Sequence, residues 1–149
     1  MATKGRMRNL LLLSLSCYCF FISPVYSQTH TIFWGQQMGD REELISENKV
    51  FVLKFFSTGT TGSRYLGIFY NTGRPDEKAV WVANRNSPIL DASGSLTIDV
   101  DGRLTISCSG GINAVLSNSL PANASATLQD SGNFVLSELN SNAGFVAKL

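Results

Sequence analysis

Ser95-Leu96-Thr97-Ile98-Asp99-Val100-Asp101-Gly102-Arg103-Leu104-Thr105-Ile106 aligns, residue for residue, with Ser125-Ala126-Thr127-Leu128-Gln129-Asp130-Ser131-Gly132-Asn133-Phe134-Val135-Leu136. In both, apolar and polar side chains alternate, the alternation breaks, and it resumes after a glycine. Period-two alternation marks a strand with one buried face. A one-residue slip would expose Leu128, Phe134 and Leu136 together, so the register is specified. It places Gln129 opposite Asn133 across the three-residue loop 130–132. Such loops end in a left-handed residue, and Gly132 adopts that conformation without a Cβ clash. The same reasoning turns Ile98, Leu104 and Ile106 inward, sets Asp99 opposite Arg103, and closes the loop at Gly102.

Working outward, Ala79-Val80-Trp81 ahead of one unit parallels Ala114-Val115-Leu116 ahead of the other. A weaker copy, Leu44-Ile45-Ser46-Glu47-Asn48-Lys49-Val50-Phe51-Val52-Leu53, comes earlier. It has Lys49 at the glycine position, so its turn must differ or carry strain. Strands are expected at 50–56, 65–70, 79–83, 95–99, 103–108, 114–117, 126–129 and 133–137. Turns rich in Gly, Ser, Asn and Pro fall at 57–63, 72–75, 84–88 and 109–113. No window keeps a helical period. Many short, regularly spaced strands with an internal repeat indicate an all-β antiparallel sandwich, barrel or prism.

The first residues read as a processing segment. Lys4, Arg6 and Arg8 precede an apolar run over 10–22, followed by Pro24-Val25-Tyr26-Ser27. This is the layout of a secretory signal peptide, with cleavage expected after Ser27. A membrane anchor would need about 20 apolar residues, and the run is shorter. The expected organisation is a signal peptide at 1–27, one domain at 28–140 and a divergent tail at 141–149. The expected location is secreted, extracellular.

The full chain has 149 residues, 12 Lys+Arg, 11 Asp+Glu and one His. Cleavage would leave nine basic against eleven acidic side chains, a net charge of −2. No basic surplus then points to nucleic acid. With His30 alone, no multi-histidine metal cage can form, and neither metal nor cofactor is expected. A protein-kinase catalytic domain does not fit in this length, and its motifs are absent. Cys17 and Cys19 would leave with the signal, so Cys108 either pairs with another chain or, continuing the Leu104, Ile106 alternation, is a small buried hydrophobe. Asn123-Ala124-Ser125 is a sequon, making Asn123 a glycosylation candidate on an exposed loop.

On the outer face of the last unit lie Gln129, Asn133, Val135 and Ser137, with Ser131 at the loop tip. Amides beside a small apolar side chain suit a sugar, offering donors and acceptors to hydroxyls and an apolar surface to ring C–H groups. A plain solvated strand face shows the same pattern. Asp99 and Arg103 should satisfy each other as an exposed cross-strand pair.

Phe55-Phe56-Ser57-Thr58-Gly59, Arg64-Tyr65-Leu66-Gly67-Ile68-Phe69-Tyr70, Val80-Trp81-Val82-Ala83-Asn84-Arg85 and Asp130-Ser131-Gly132-Asn133-Phe134-Val135-Leu136 occur in this order. Together they resemble the bulb-type (G-type, mannose-binding) lectin domain that opens S-locus glycoproteins and S-domain receptor-like kinases. The resemblance covers about residues 30–138. It implies a β-prism of three antiparallel sheets with pseudo-threefold symmetry. It also implies a Gln-x-Asp-x-Asn-x-Val-x-Tyr sugar motif in each active repeat. The third copy keeps Gln129, Asn133 and Val135 but has Ser131 for Asp and Ser137 for Tyr. The second keeps only Asp101, with Asp99, Arg103, Thr105 and Ser107 at the other positions. The first keeps only Val52, beside Ser46, Asn48, Val50 and Lys54.

Relatives continue with a Trp-Gln-Ser-Phe-like strand, whereas residues 140–149 diverge from it. The expectation is a prism lacking its closing strand, in a shortened relative or a chain truncated after the lectin domain. A missing strand would expose a sheet edge. Three functional readings follow. One is weak binding of mannose-type glycans through Gln129, Asn133 and Val135. Another is a protein-interaction module that forms a homodimer or binds a receptor ectodomain, as a soluble counterpart of an S-domain receptor. An enzyme ranks last, because no nucleophile–base pair, metal cluster or phosphate loop is visible.

Overall fold

The computed structural model describes residues 29–59, 62–118, 123–138 and 147–148. The expected signal peptide and most of the tail, including Cys17 and Cys19, lie outside the described residues.

The chain begins with three short strands in close succession: β1 (Thr31–Phe33), β2 (Gln37–Gly39) and β3 (Glu43–Ile45). Each belongs to a different sheet. β3 continues into β4 (Phe51–Ser57), β5 (Arg64–Tyr70) and β6 (Trp81–Val82). β2 pairs with β7 (Ser95–Ile98), followed by β8 (Leu104–Cys108) and β9 (Gly111–Val115). β1 pairs with β10 (Ala124–Leu128), followed by β11 (Phe134–Glu138) and β12 (Ala147–Lys148). The result is three four-stranded antiparallel sheets, as the family resemblance implied.

The inner face of each sheet supplies one side of a common core. Leu53, Phe55, Leu66 and Ile68 meet Leu96, Ile98, Leu104 and Ile106, and these meet Ala126, Leu128, Phe134 and Leu136. Each leading strand adds its central side chain: Ile32, Met38 and Leu44, all buried. Their spacing of six residues puts one apolar anchor in every sheet.

Four expectations are corrected. First, the early copy around Lys49 is the β3–β4 hairpin, whereas the later copies are the β7–β8 and β10–β11 hairpins. In sheet order, β4–β5 is their counterpart. The early copy also has a longer turn, because Ser46 pairs with Phe51 through its N–H (3.0 Å) and Val50 is an extra loop residue. Similar alternation on either side of a turn made unlike hairpins look alike. Second, Ala83 donates its N–H to Leu66 and Leu116 donates to Leu104. Trp81-Val82-Ala83 is therefore the counterpart of Ala114-Val115-Leu116, two residues beyond the parallel read from sequence. Third, the segment 109–113 is not all turn. β9 starts at Gly111, and a bulge near Asn113 restores its register with β8. Fourth, the closing position is filled: Lys148 pairs with Val135 and Ala147 with Leu136. The free edge of β11 takes up the tail over two residues, which satisfies backbone groups that an open edge would leave unpaired.

Candidate carbohydrate site

The β10–β11 hairpin has the register derived from sequence. Leu128 pairs with Phe134, and Gln129 donates its N–H to the Asn133 carbonyl at 2.9 Å. The Gly132 N–H closes the loop onto the Gln129 carbonyl at 2.9 Å. Gly132 has φ +81°, and a Cβ there would lie 3.0 Å from the Phe51 ring. Glycine is required twice over, by its backbone angle and by the aromatic ring beneath the loop. Asn48 adds a clamp from another sheet, donating its N–H (3.0 Å) and Nδ2 (2.8 Å) to the Asp130 carboxylate. These donors and the Ser46 hydroxyl, the largest contributor, hold the Asp130 carboxyl below its ordinary value. The loop that presents Ser131 is thus fixed from below and from the side.

Gln129 and Asn133 share the outer face, side by side. Gln129 is exposed and Asn133 half-buried. The Ser131 hydroxyl lies 3.4 Å from Gln129 Oε1 and accepts the Asn133 N–H at 3.4 Å, so both contacts are long. Val135 points the same way but is only 7% exposed, so little of it is left to meet a sugar ring. Ser137 is half-buried. On the adjoining row, the Thr31 and Thr127 hydroxyls bond each other at 2.8 Å. Sequence reasoning missed that pair because β1 was not read as a strand; the six-residue spacing of Ile32, Met38 and Leu44 would have indicated it.

The corresponding face of β7–β8 is occupied by its own charges. Arg103 reaches Asp99 (3.1 Å) and Asp101 (2.6 Å). Partial desolvation raises the Asp99 carboxyl, but the Arg103 N–H, its guanidinium and the Asp101 N–H outweigh it and leave the group below its ordinary value. The Trp34 indole donates to the Asp99 carbonyl at 3.1 Å.

In the first sheet the site positions differ from those assigned by sequence. Through the shared registers, Phe56 corresponds to Gln129, Tyr65 to Asn133, Gly67 to Val135 and Phe69 to Ser137. Phe56 lies edge-on to Phe69 (5.0 Å, 86°) and beside Tyr65 (5.8 Å). A Cβ on Gly67 would sit 2.7 Å from Phe56 Cε1, so that ring covers the position where the third sheet has Val135. Lys54 stands over Phe69 at 5.3 Å. The residues first assigned here do other work. Ser46 is buried and its Oγ accepts the Val50 and Phe51 N–H groups, while Asn48 holds Asp130.

A cleft of about 550 Å³ opens beside β1, β2 and β3, lined in part by Thr29, Gln37, Arg41 and Glu43. It includes neither Gln129 nor Asn133, and two of its polar groups are already engaged: Glu42 accepts the Gly39 N–H (2.7 Å) and Gln36 the Phe33 N–H (3.1 Å). Among the described residues, no group of three or more His, Cys, Asp and Glu could hold a metal ion. Cys108 is half-buried against the core and forms no disulfide.

The D-mannose binding lectin family matches residues 78–147. The chain carries a bulb-type lectin domain. It is 39% identical over 134 residues to the G-type lectin S-receptor-like serine/threonine-protein kinase CES101 of Arabidopsis thaliana, covering 89% of this chain and 16% of that protein. It is 40% identical over 137 residues to kinase B120 of the same plant, covering 86% and 16%. The chain therefore spans about a sixth of the length of these relatives, and the domain matched is a lectin domain rather than a catalytic one. Among solved structures, the fold superposes on a monomeric monocot mannose-binding lectin from Gastrodia elata (TM-score 0.59, 20% identity, covering 78% and 91%). It also superposes on a Marasmius oreades lectin (TM-score 0.58, 15% identity, covering 82% and 92%). These likenesses establish the lectin fold.

Proposed function

We propose that this domain is secreted and binds mannose-type glycans weakly, at one site formed by Gln129 and Asn133 with a minor contribution from Val135. The observation that carries this reading is the contrast among three equivalent faces. One presents two neighbouring amides to solvent, one is neutralised by Arg103, and one is covered by Phe56. The loss of Asp and Tyr at Ser131 and Ser137 removes two hydrogen bonds worth about 0.5–1.5 kcal/mol each. Together they weaken binding by about five- to a hundredfold. A glycan array with the parent chain and Asn133→Ala tests the proposal. Binding of mannosides by the parent and its loss in the variant are expected; no mannoside bound by the parent, or equal binding by both, overturns it. The pair Ser131→Asp and Ser137→Tyr should raise mannoside affinity by about tenfold or more.

Export through the segment 1–27 and an N-linked glycan on Asn123 belong to the same reading. Asn123 is exposed at the head of β10, with φ +84°, a conformation asparagine tolerates better than most residues. The intact mass of the mature product reports both processing events.

A second reading is a protein-interaction module, either a homodimer or a partner of an S-domain receptor ectodomain. It is favoured by Ile112 and Val115, 63% and 54% exposed on β9, which is the last strand of its sheet. Apolar side chains on an edge strand invite pairing with another chain. Association with such ectodomains at micromolar concentration, lost on Ile112→Lys, would support it; failure to associate would remove it.

A further inference from the structure

We infer that the exposed ring of Phe33 is the seat of the first sugar of an N-linked glycan on Asn123. The inference rests on the Asn123 reading above and goes further, by assigning the glycan a place on the protein.

Phe33 and Thr31 lie on the outer face of the third sheet, opposite Ser125 and Thr127. Phe33 is 41% exposed. Its row continues through Ser125 to Ser137, so both residues beside it on that row are small. Asn123 stands immediately ahead of β10, two residues before Ser125, where its φ of +84° takes it out of the strand's alternation. The sequon therefore begins at the end of the β1–β10 ladder that carries Phe33. The strands stay together up to this point, because the Trp34 N–H donates to the Ala124 carbonyl at 3.0 Å. Trp34 is also exposed, but its indole is held at the neighbouring sheet by the Asp99 carbonyl. Phe33, paired with Ser125 at this end of the ladder, is the exposed ring without such a tether.

An N-acetylglucosamine has one face of C–H groups, and an aromatic face is its natural partner. Stacking would withdraw apolar surface of Phe33 from water without asking the sugar hydroxyls to give up hydration. Gln129 lies four residues beyond Ser125, just past the end of β10, about 13 Å away at strand rise. A glycan seated on Phe33 therefore leaves the Gln129–Asn133 face open.

The test uses the full chain made in a host that performs N-glycosylation, with parent, Phe33→Ser and Phe33→Leu variants. Phe33→Leu keeps an apolar side chain at the position and removes the ring. For each, intact mass, melting temperature before and after enzymatic release of the glycan, and the NMR shifts of the Asn123-linked sugar are measured. Expected are a glycan mass in all three and a drop of a few degrees on glycan release in the parent alone. Upfield ring-current shifts of the sugar C–H protons should appear in the parent and vanish in both variants. A glycan that is present but unshifted, or whose release lowers all three melting temperatures equally, overturns the inference. A parent without any glycan mass overturns the Asn123 reading itself.

Discussion

Lys49 and Gly132 occupy the same position in their turns, each donating its N–H back to the carbonyl three residues earlier. Lys49 has φ +60° and Gly132 φ +81°. The left-handed conformation costs about 1–2 kcal/mol for a residue with a Cβ. Lys49→Gly should therefore stabilise the domain by up to about 1 kcal/mol, since glycine's extra unfolded-state freedom offsets part of the relief. Gly132→Ala should destabilise by about 1–2 kcal/mol from the backbone angle, and by more once its methyl meets Phe51. Urea midpoints of the two variants, moving in opposite directions, check the pair. Val135 teaches a different lesson at this scale. Alternation correctly put it on the outer face, but its near-complete burial depends on neighbouring strands, which one strand's pattern does not reveal.

Hairpins were legible from sequence where one glycine closed a three-residue turn, and misread where the turn was longer. Gly102 and Gly132 fixed two turns and the opposition of Asp99 to Arg103 and Gln129 to Asn133. The first sheet carries its equivalent hairpin between β4 and β5, joined by six residues. No short-turn signal marks that connection, and the aromatic residues filling its site went unassigned. β1 and β2 were missed because three residues are too few to show a period. The loop clamp of Asn48 on Asp130 yields a pH prediction at this scale. Hydrogen bonds from Ser46 and Asn48 depress the folded Asp130 carboxyl, and Ser93 and Ser109 do the same for Asp91. A depressed carboxyl contributes stability above its unfolded value of about 4, and that contribution is lost as pH falls through the folded value. The melting temperature should hold from neutrality to about pH 5 and decline below it. Asp130→Asn should lower the neutral plateau and flatten the acid decline; thermal scans across that range measure both. The Arg103 bridges to Asp99 and Asp101 remain in part open to solvent, so Arg103→Ala should change stability by less than about 1 kcal/mol.

The whole molecule is one core seen from three sides. Ile106 is fully buried and packs in the cluster that draws on every sheet. Ile106→Ala should cost about 2–5 kcal/mol. Far-ultraviolet and aromatic circular dichroism should still report one coincident transition, as expected when three sheets share one interior. Two of the three hairpins were legible because the repeat recorded the unit twice with little change, and the threefold arrangement came from the family resemblance. The departures from symmetry were not, because they arise from contacts between sheets: Phe51 under Gly132, Asn48 on Asp130, Trp34 against the β7–β8 loop.

The order in which β1, β2 and β3 are dealt to the sheets has a consequence for biosynthesis. Among the described strands the ribosome makes β1 first, yet its partner β10 begins at Ala124. β3 can be matched as soon as β4 emerges, β2 must wait for β7, and β1 waits longest. Such long-range closure slows folding. During translation, the segment carrying Ile32 should therefore remain accessible to chaperones or proteases until the β10–β11 hairpin has left the exit tunnel. Stalled nascent chains ending before and after that hairpin should differ sharply in protease resistance.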